Sequence, residues 1–287
     1  IYLGNIKSSG YYKDKLITFN SLSAKNSNGN ITGYAKLPID LDIDSNHIGE
    51  KVFEKDVDLR FNGKFNHMDF ITEYVSSVDS LRGEVNIDLS ITGPWNNLTR
   101  SGSISIEKSN LYMLLLDKPI TQIDGRGKII NNILQFSDFQ GMKSRQATQN
   151  NFFISSNVDL NKFFNPAYNL KITGKDIIFK SLTDEMEGNA DLNLNISGKD
   201  TVSVTGNILL NELTLFREFN TFVIAGGKSD NDRRNLVYYD LDIPIRESIS
   251  LVNSQIDANL SGEIHYTKLG ENDADYSGEL FFKDGKF

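Results

Sequence analysis

Asp40, Asp42 and Asp44 alternate in Asp-Leu-Asp-Ile-Asp, the first side chains in this chain whose spacing could do chemistry. Carboxylates so spaced open a calcium loop, but that loop also needs Gly at its sixth position and Glu at its twelfth. Those positions hold Ser45 and Lys51, and Leu41 and Ile43 between the acids suit a strand. The three His, at 47, 67 and 265, are scattered with no partner at ligand spacing, which argues against zinc. No nucleophile elbow, phosphate loop or dinucleotide fingerprint occurs. With no Cys, thiolate metal sites, disulfides and Cys nucleophiles drop out. Rows of Asp and Asn could hide the carboxylate pair of a glycoside hydrolase, yet the wet face of a strand reads the same way. A net charge of −8 without any basic run speaks against nucleic acid. The sequence therefore predicts no catalytic residue, no metal and no cofactor, and a protein that is not an enzyme.

What must be positioned instead is an apolar face. Between Gly83 and Gly93, Val85, Ile87, Leu89 and Ile91 alternate with Glu84, Asn86, Asp88, Ser90 and Thr92. Successive strand side chains point to opposite faces, so this is a strand with one dry face and one wet face. A Gly-Pro-Trp-Asn-Asn turn follows, and Gly102-Ser-Ile-Ser-Ile, carrying Ile104 and Ile106, begins a second strand. The unit returns 105 residues later, from Met186 to Leu210. There Ala190, Leu192, Leu194 and Ile196 take the apolar parity, and Gly206-Asn-Ile-Leu-Leu, with Ile208, stands where Gly102-Ser-Ile-Ser-Ile stood. A looser copy pairs Ser261-Gly262-Glu-Ile with Ser277-Gly278-Glu-Leu. Repeated strand pairs are the mark of a stacked array.

Other segments fit the same scheme. Short strands fill residues 1–44, where Leu37, Ile39, Leu41 and Ile43 alternate with acids, and Asn26–Asn30 is a turn by composition. Residues 66–79 predict a helix: Asn66 as cap, Asp69 in the first turn, and Phe70, Ile71, Tyr74, Val75 and Val78 on one face. Shorter helices or turns are expected near 161–164 and 181–186. Residues 141–151 read as a polar loop, and 225–235 as a loop and module boundary. After that boundary Tyr239, Leu241, Ile243 and Ile245 alternate with Asp240, Asp242 and Arg246. Pro244 cannot donate to a ladder, which predicts an edge strand or the start of a new sheet. Trp95, in a turn, is expected to be a packing anchor or a rim contact rather than a binding site. The expected divisions are 1–62, a partial repeat; 63–224, two repeat modules each led by a short helix; and 225–287, a further β domain. The longest apolar run, Leu111–Leu116, is too short to span a bilayer. The chain starts at Ile1 and ends inside a repeat, so it reads as part of a longer protein. So many one-sided strands must hide their apolar face, either as a sandwich or as one sheet curled around an apolar trough.

The pattern of Leu81-Arg-Gly83, Ile91-Thr-Gly93-Pro94 and Ser101-Gly102-Ser-Ile-Ser-Ile resembles the TamB and AsmA-like family of bacterial envelope proteins. Tyr239-Asp-Leu-Asp-Ile-Pro, Leu260-Ser-Gly262-Glu-Ile and Ser277-Gly278-Glu-Leu resemble the start of its C-terminal domain. The resemblance covers most of 63–287, and 1–62 more loosely. It implies a mainly β protein: an elongated, curled antiparallel sheet (a β-taco) with an apolar trough and one or two short helices. It further implies a periplasmic protein of a Gram-negative-type bacterium, anchored in the inner membrane. Phospholipid passage between the membranes, or help in assembling outer-membrane barrels, is the implied role. The candidate lining is Val85, Ile87, Leu89, Ile91, Ile104, Ile106, Leu192, Leu194, Ile196, Ile208, Leu241 and Ile243, with acyl chains as the partner. A TamA-like barrel would be met by C-terminal strands absent from these residues. The alternatives are a structural or assembly scaffold with an ordinary sandwich core, and a β-helix enzyme on polysaccharide, for which no carboxylate cluster is visible.

Overall fold

The structure, a computed structural model, describes residues 4–44, 46–68, 78–113, 118–143, 149–162, 165–181, 185–199, 201–216, 236–270 and 272–286. Alternating apolar and polar residues bounded by Gly and Asn give strands throughout. They are β1 (Asn5–Lys13), β2 (Leu16–Lys25), β3 (Gly29–Pro38), β4 (Val57–His67) and β5 (Val78–Gly93). Next come β6 (Thr99–Met113), β7 (Ile120–Ile130), β8 (Ile133–Met142), β9 (Phe152–Asp159) and β10 (Ala167–Lys180). The last five are β11 (Met186–Gly198), β12 (Thr201–Leu215), β13 (Leu236–Val252), β14 (Asp257–Leu269) and β15 (Asp275–Lys286). All fifteen lie in one sheet in sequence order. Two-residue turns close the tightest hairpins: Asp14-Lys15 and Asn131-Asn132 all have positive φ, the twist-compatible primed turn.

Two compact units divide the chain, Ile1–Leu111 with Gln122–Phe139 and Asn157–Pro166 in the first, the remainder in the second. In the first unit Ile129, Leu134 and Leu160 form a core against which Leu89, Ile104, Phe136 and Val158 pack. In the second, Ala190, Leu210, Leu213, Ile245 and Ile249 do so, with Phe179, Leu192, Ile208, Leu215, Ile243 and Leu260 against them. Each cluster draws its members from consecutive strands on one face.

Glycine bends the repeated strand pair. Gly102 and Gly206 hold φ of 152° and 130°, a backbone that side chains rarely adopt. A Cβ there would run into the carbonyl oxygen of Asp88 or of Asn193 on the neighbouring strand. The two positions are equivalent in the repeat, so the same glycine-dependent backbone recurs at the same place in each copy.

Several sequence expectations give way. Most of the helix expected over 66–79 falls on 69–77, outside the described residues. Its proposed cap, Asn66, belongs to β4 and donates its N–H to the Asn28 carbonyl at 2.8 Å, while Val78 opens β5. Partner strands on both sides override the capping preference. Of the two segments expected as short helices or turns, Asn161 and Lys162 do form a turn, whereas Met186 opens β11; 163–164 and 182–184 lie outside the described residues. The strand read through Leu41 and Ile43 stops at Pro38. Asp40 and Asp42 accept hydrogen bonds from the N–H groups two residues on, at 3.0 and 3.2 Å, which competes with a ladder. Ile43 is left 87% exposed. Pro244 is interior, opposite Glu263, in a strand paired on both sides. The β12 register passes from Asn207–Asp242 to Leu210–Ile245 around it, so no donor is demanded there. The same pairing is parallel, whereas β1 to β5, β10 to β12 and β13 to β15 pair antiparallel. Trp95 is an anchor: its Nε1 donates to the Pro38 carbonyl at 2.9 Å and Lys51 sits 5.0 Å above the ring.

Replacing Gly206 by Val should lower the stability of the chain by at least about 2 kcal/mol, since it adds both backbone strain and a collision. Urea unfolding followed by circular dichroism checks this; an unchanged midpoint would mean the bend is not glycine-dependent.

Candidate functional site

The candidate lining residues fall on the apolar face of their own unit. In the first unit Val85 stands opposite Phe65, Ile87 opposite Gly63, Leu89 opposite Phe61 and Ile91 opposite Leu59. Ile104 and Ile106 continue that face on β6. In the second unit the transverse rows can be followed across strands. One runs Ile172, Leu194, Gly206, Leu241, Tyr266, Tyr276. Its neighbour includes Gly174, Leu192 and Ile208, and Ile243 faces Ile264. Another runs Leu170, Ile196, Val204, Tyr239. The two sets belong to separate units.

Burial along this face is partial. Val85, Ile106 and Leu241 are buried; Ile87, Leu89, Ile91, Ile104, Leu192, Leu194, Ile196, Ile208 and Ile243 are half-buried. A sandwich core would have covered them. Instead the repeated apolar positions keep part of their surface open.

Aromatic side chains share this face, and the sequence alone did not point to them. A Cβ built on Gly33 would lie 2.8 Å from the Phe61 ring, and one on Gly29 or Gly63 would lie 2.7 Å from Phe65. Gly125 and Gly127 meet Phe139 at 2.7 Å and Phe136 at 2.9 Å in the same way. In the second unit Tyr168 covers Gly198, its hydroxyl 2.8 Å from such a Cβ. Each ring therefore packs against a glycine next to it, the contact known as aromatic rescue of glycine, and Phe136 and Phe139 meet edge to face. Phe-x-Gly-x-Phe at 61–65 carried the signal, since glycine next to aromatics on one parity leaves room for rings.

The opposite face is polar and cross-linked. In the first unit Lys64 bridges to Glu84 at 2.8 Å, and the Asn86 amide donates to the same carboxylate at 3.1 Å. These contacts hold the Glu84 carboxyl below its ordinary value. A polar concavity of 270 Å³ lies beside them, lined among others by Asn30, Thr32, Asn62 and Asp88. In the second unit Asp191 binds four strands. Its carboxylate accepts from the Asp176 N–H at 2.8 Å and from Asn211 at 3.0 Å, and faces Arg246 at 3.6 Å. Burial works to raise its pKa, but those partners outweigh it and the net shift is downward. Among the described residues no three acidic or His side chains converge at metal-ligand distance, and no helix is long and apolar enough to cross a membrane.

Residues 20–267 match the family described as TamB C-terminal domain. The chain belongs to the TamB family. Members are Gram-negative envelope proteins that serve outer-membrane assembly and lipid transport, and the family works with TamA. No curated protein and no solved structure matches the chain.

The polar network gives this TamB-family sheet a pH dependence. Asp191 has a lower pKa folded than unfolded, so its contribution is complete above the ordinary carboxylate value of about 4 and is lost as pH falls through the lowered one. Asp191→Asn should cost about 1 kcal/mol at pH 7, and the gap to the parent chain should close in acid below that value. Urea midpoints measured across that range check both.

Proposed function

We propose that the apolar face of each unit is a lining along which phospholipid acyl chains pass, in a periplasmic protein anchored in the inner membrane. The observation that carries this reading is the half-burial of Ile87, Leu89 and Ile91 in one unit and of Leu192, Leu194 and Ile196 in the other. An acyl chain can finish that burial. Each CH₂ removed from water is worth about 0.8 kcal/mol, so a chain of about 16 carbons gains on the order of 12 kcal/mol and does not escape into the aqueous phase. Sliding from one apolar row to the next exchanges one contact for an equal one, so movement along the face costs little. Such work needs no catalytic group. A second reading, in which the same sheet supports barrel assembly with a TamA-like partner, is favoured by the family's work with TamA.

Leu89→Asp and Leu194→Asp put a carboxylate on the lining at positions that are only half-buried, so the chain should still fold. Lipid captured by a photo-crosslinker at Leu192 should drop at least about tenfold in Leu194→Asp, since desolvating one carboxylate exceeds 1.4 kcal/mol. Asn193→Asp, on the exposed wet face, should leave capture unchanged. A crosslinker that never captures lipid, or global unfolding by either Asp substitution, would point to a closed core and a scaffold.

A further inference from the structure

One transverse row on the apolar face of the second unit ends in a charge. Leu170, Ile196, Val204 and Tyr239 stand opposite one another from β10 to β13, and the next position, on β14, is Lys268. Lys268 is half-buried, and among the described residues nothing pairs with its ammonium. Alternation places Asp240 and Asp242 on the opposite face. There His265 engages them, its Nδ1 2.8 Å from Asp242 and its Nε2 3.6 Å from Asp240. No carboxylate on the apolar side answers the lysine.

Phenol groups gather next to it. Tyr266 lies two residues before Lys268 on the same strand, with its ring centroid 6.1 Å from Tyr239 and 5.3 Å from Tyr276. None of the three hydroxyls is engaged by a protein acceptor among the described residues. Burial, and then the neighbouring phenols of Tyr276 and Tyr239, raise the Tyr266 pKa, so its hydroxyl is a proton donor at neutral pH. Lys268 is also the penultimate residue of β14, so the cluster sits where the apolar rows give way to the turn.

An unanswered ammonium and several O–H donors, at the end of an apolar surface, complement an oxyanion joined to apolar chains. We propose that Lys268, with Tyr239, Tyr266 and Tyr276, holds the phosphate of a phospholipid head group whose acyl chains lie on Leu194, Leu241 and Ile243. The proposal rests on the apolar face being a lipid lining, and adds to it a station that selects for phosphate. A phosphate oxyanion gains charge-assisted hydrogen bonds there that a neutral glyceride cannot make.

The test uses the 287-residue chain and vesicles in which phosphatidylglycerol and diacylglycerol carry the same oleoyl chains. Lipid bound to the recovered protein is counted by mass spectrometry. The chain should enrich phosphatidylglycerol about tenfold over diacylglycerol, the worth of about one such hydrogen bond to a charged group. Lys268→Met should bring the ratio near one with total lipid unchanged, and Lys268→Arg should keep the preference. An undiminished preference in Lys268→Met, with its folding verified by thermal unfolding, overturns the proposal. If the parent chain binds both lipids equally, this station falls and the lining stands. If it binds neither, the lining reading falls and takes the station with it. A preference abolished by millimolar inorganic phosphate would assign the cluster to a soluble anion and overturn the lipid head-group assignment.

Discussion

A sheet one layer thick with strict apolar alternation has to find something to cover its dry face. In this chain the strands follow one another in sequence order through a single sheet. The core clusters of each unit are built from lateral neighbours, so much of the apolar side of β5 and β11 keeps part of its surface in contact with water. Burial of apolar area is the main favourable term in folding. A design that leaves some of it unclaimed holds back free energy that another apolar surface can collect.

Two devices keep that face bent and shallow. Glycines at equivalent repeat positions, Gly102 and Gly206, accept a backbone closed to other residues and let the strand coil against its neighbour. Glycines beside Phe61, Phe65, Phe136 and Phe139 leave room for the rings, the last two meeting edge to face. Meanwhile the wet face supplies the rigidity that the thin dry face cannot. Asp191 ties β10, β11, β12 and β13 together. Asn151 does comparable work at a strand end, its amide donating to the Lys175 carbonyl at 2.8 Å.

Alternation carried most of what could be read from residues alone. It placed the strands at 83–93 and 188–198, their pairing into repeats, and the parity of every candidate lining residue. Period two is a local property, and the readings that failed were those in which a partner strand or a local hydrogen bond decides. Asn66 looks like a helix cap until β3 and β5 flank it. The acids of 40–44 alternate like a strand, yet their own backbone claims the side chains. Strand direction leaves no trace in the period, so the parallel pairing of β12 with β13 was not legible. The tyrosine cluster was hidden for another reason. Tyr239, Tyr266 and Tyr276 meet only because of register between β13, β14 and β15, and nothing in their spacing along the chain announces it.

The chain has no Cys, so single cysteines can be introduced one at a time from Leu192 to Ile196 without background. The decisive measurement is the rate at which a water-soluble maleimide labels each of these, with and without phospholipid vesicles. An open apolar lining predicts labelling at all five positions in the absence of lipid, and slowing by lipid at 192, 194 and 196 but not at 193 and 195. Inert cysteines at 192, 194 and 196 before lipid is added, or lipid effects with no alternation, would contradict it.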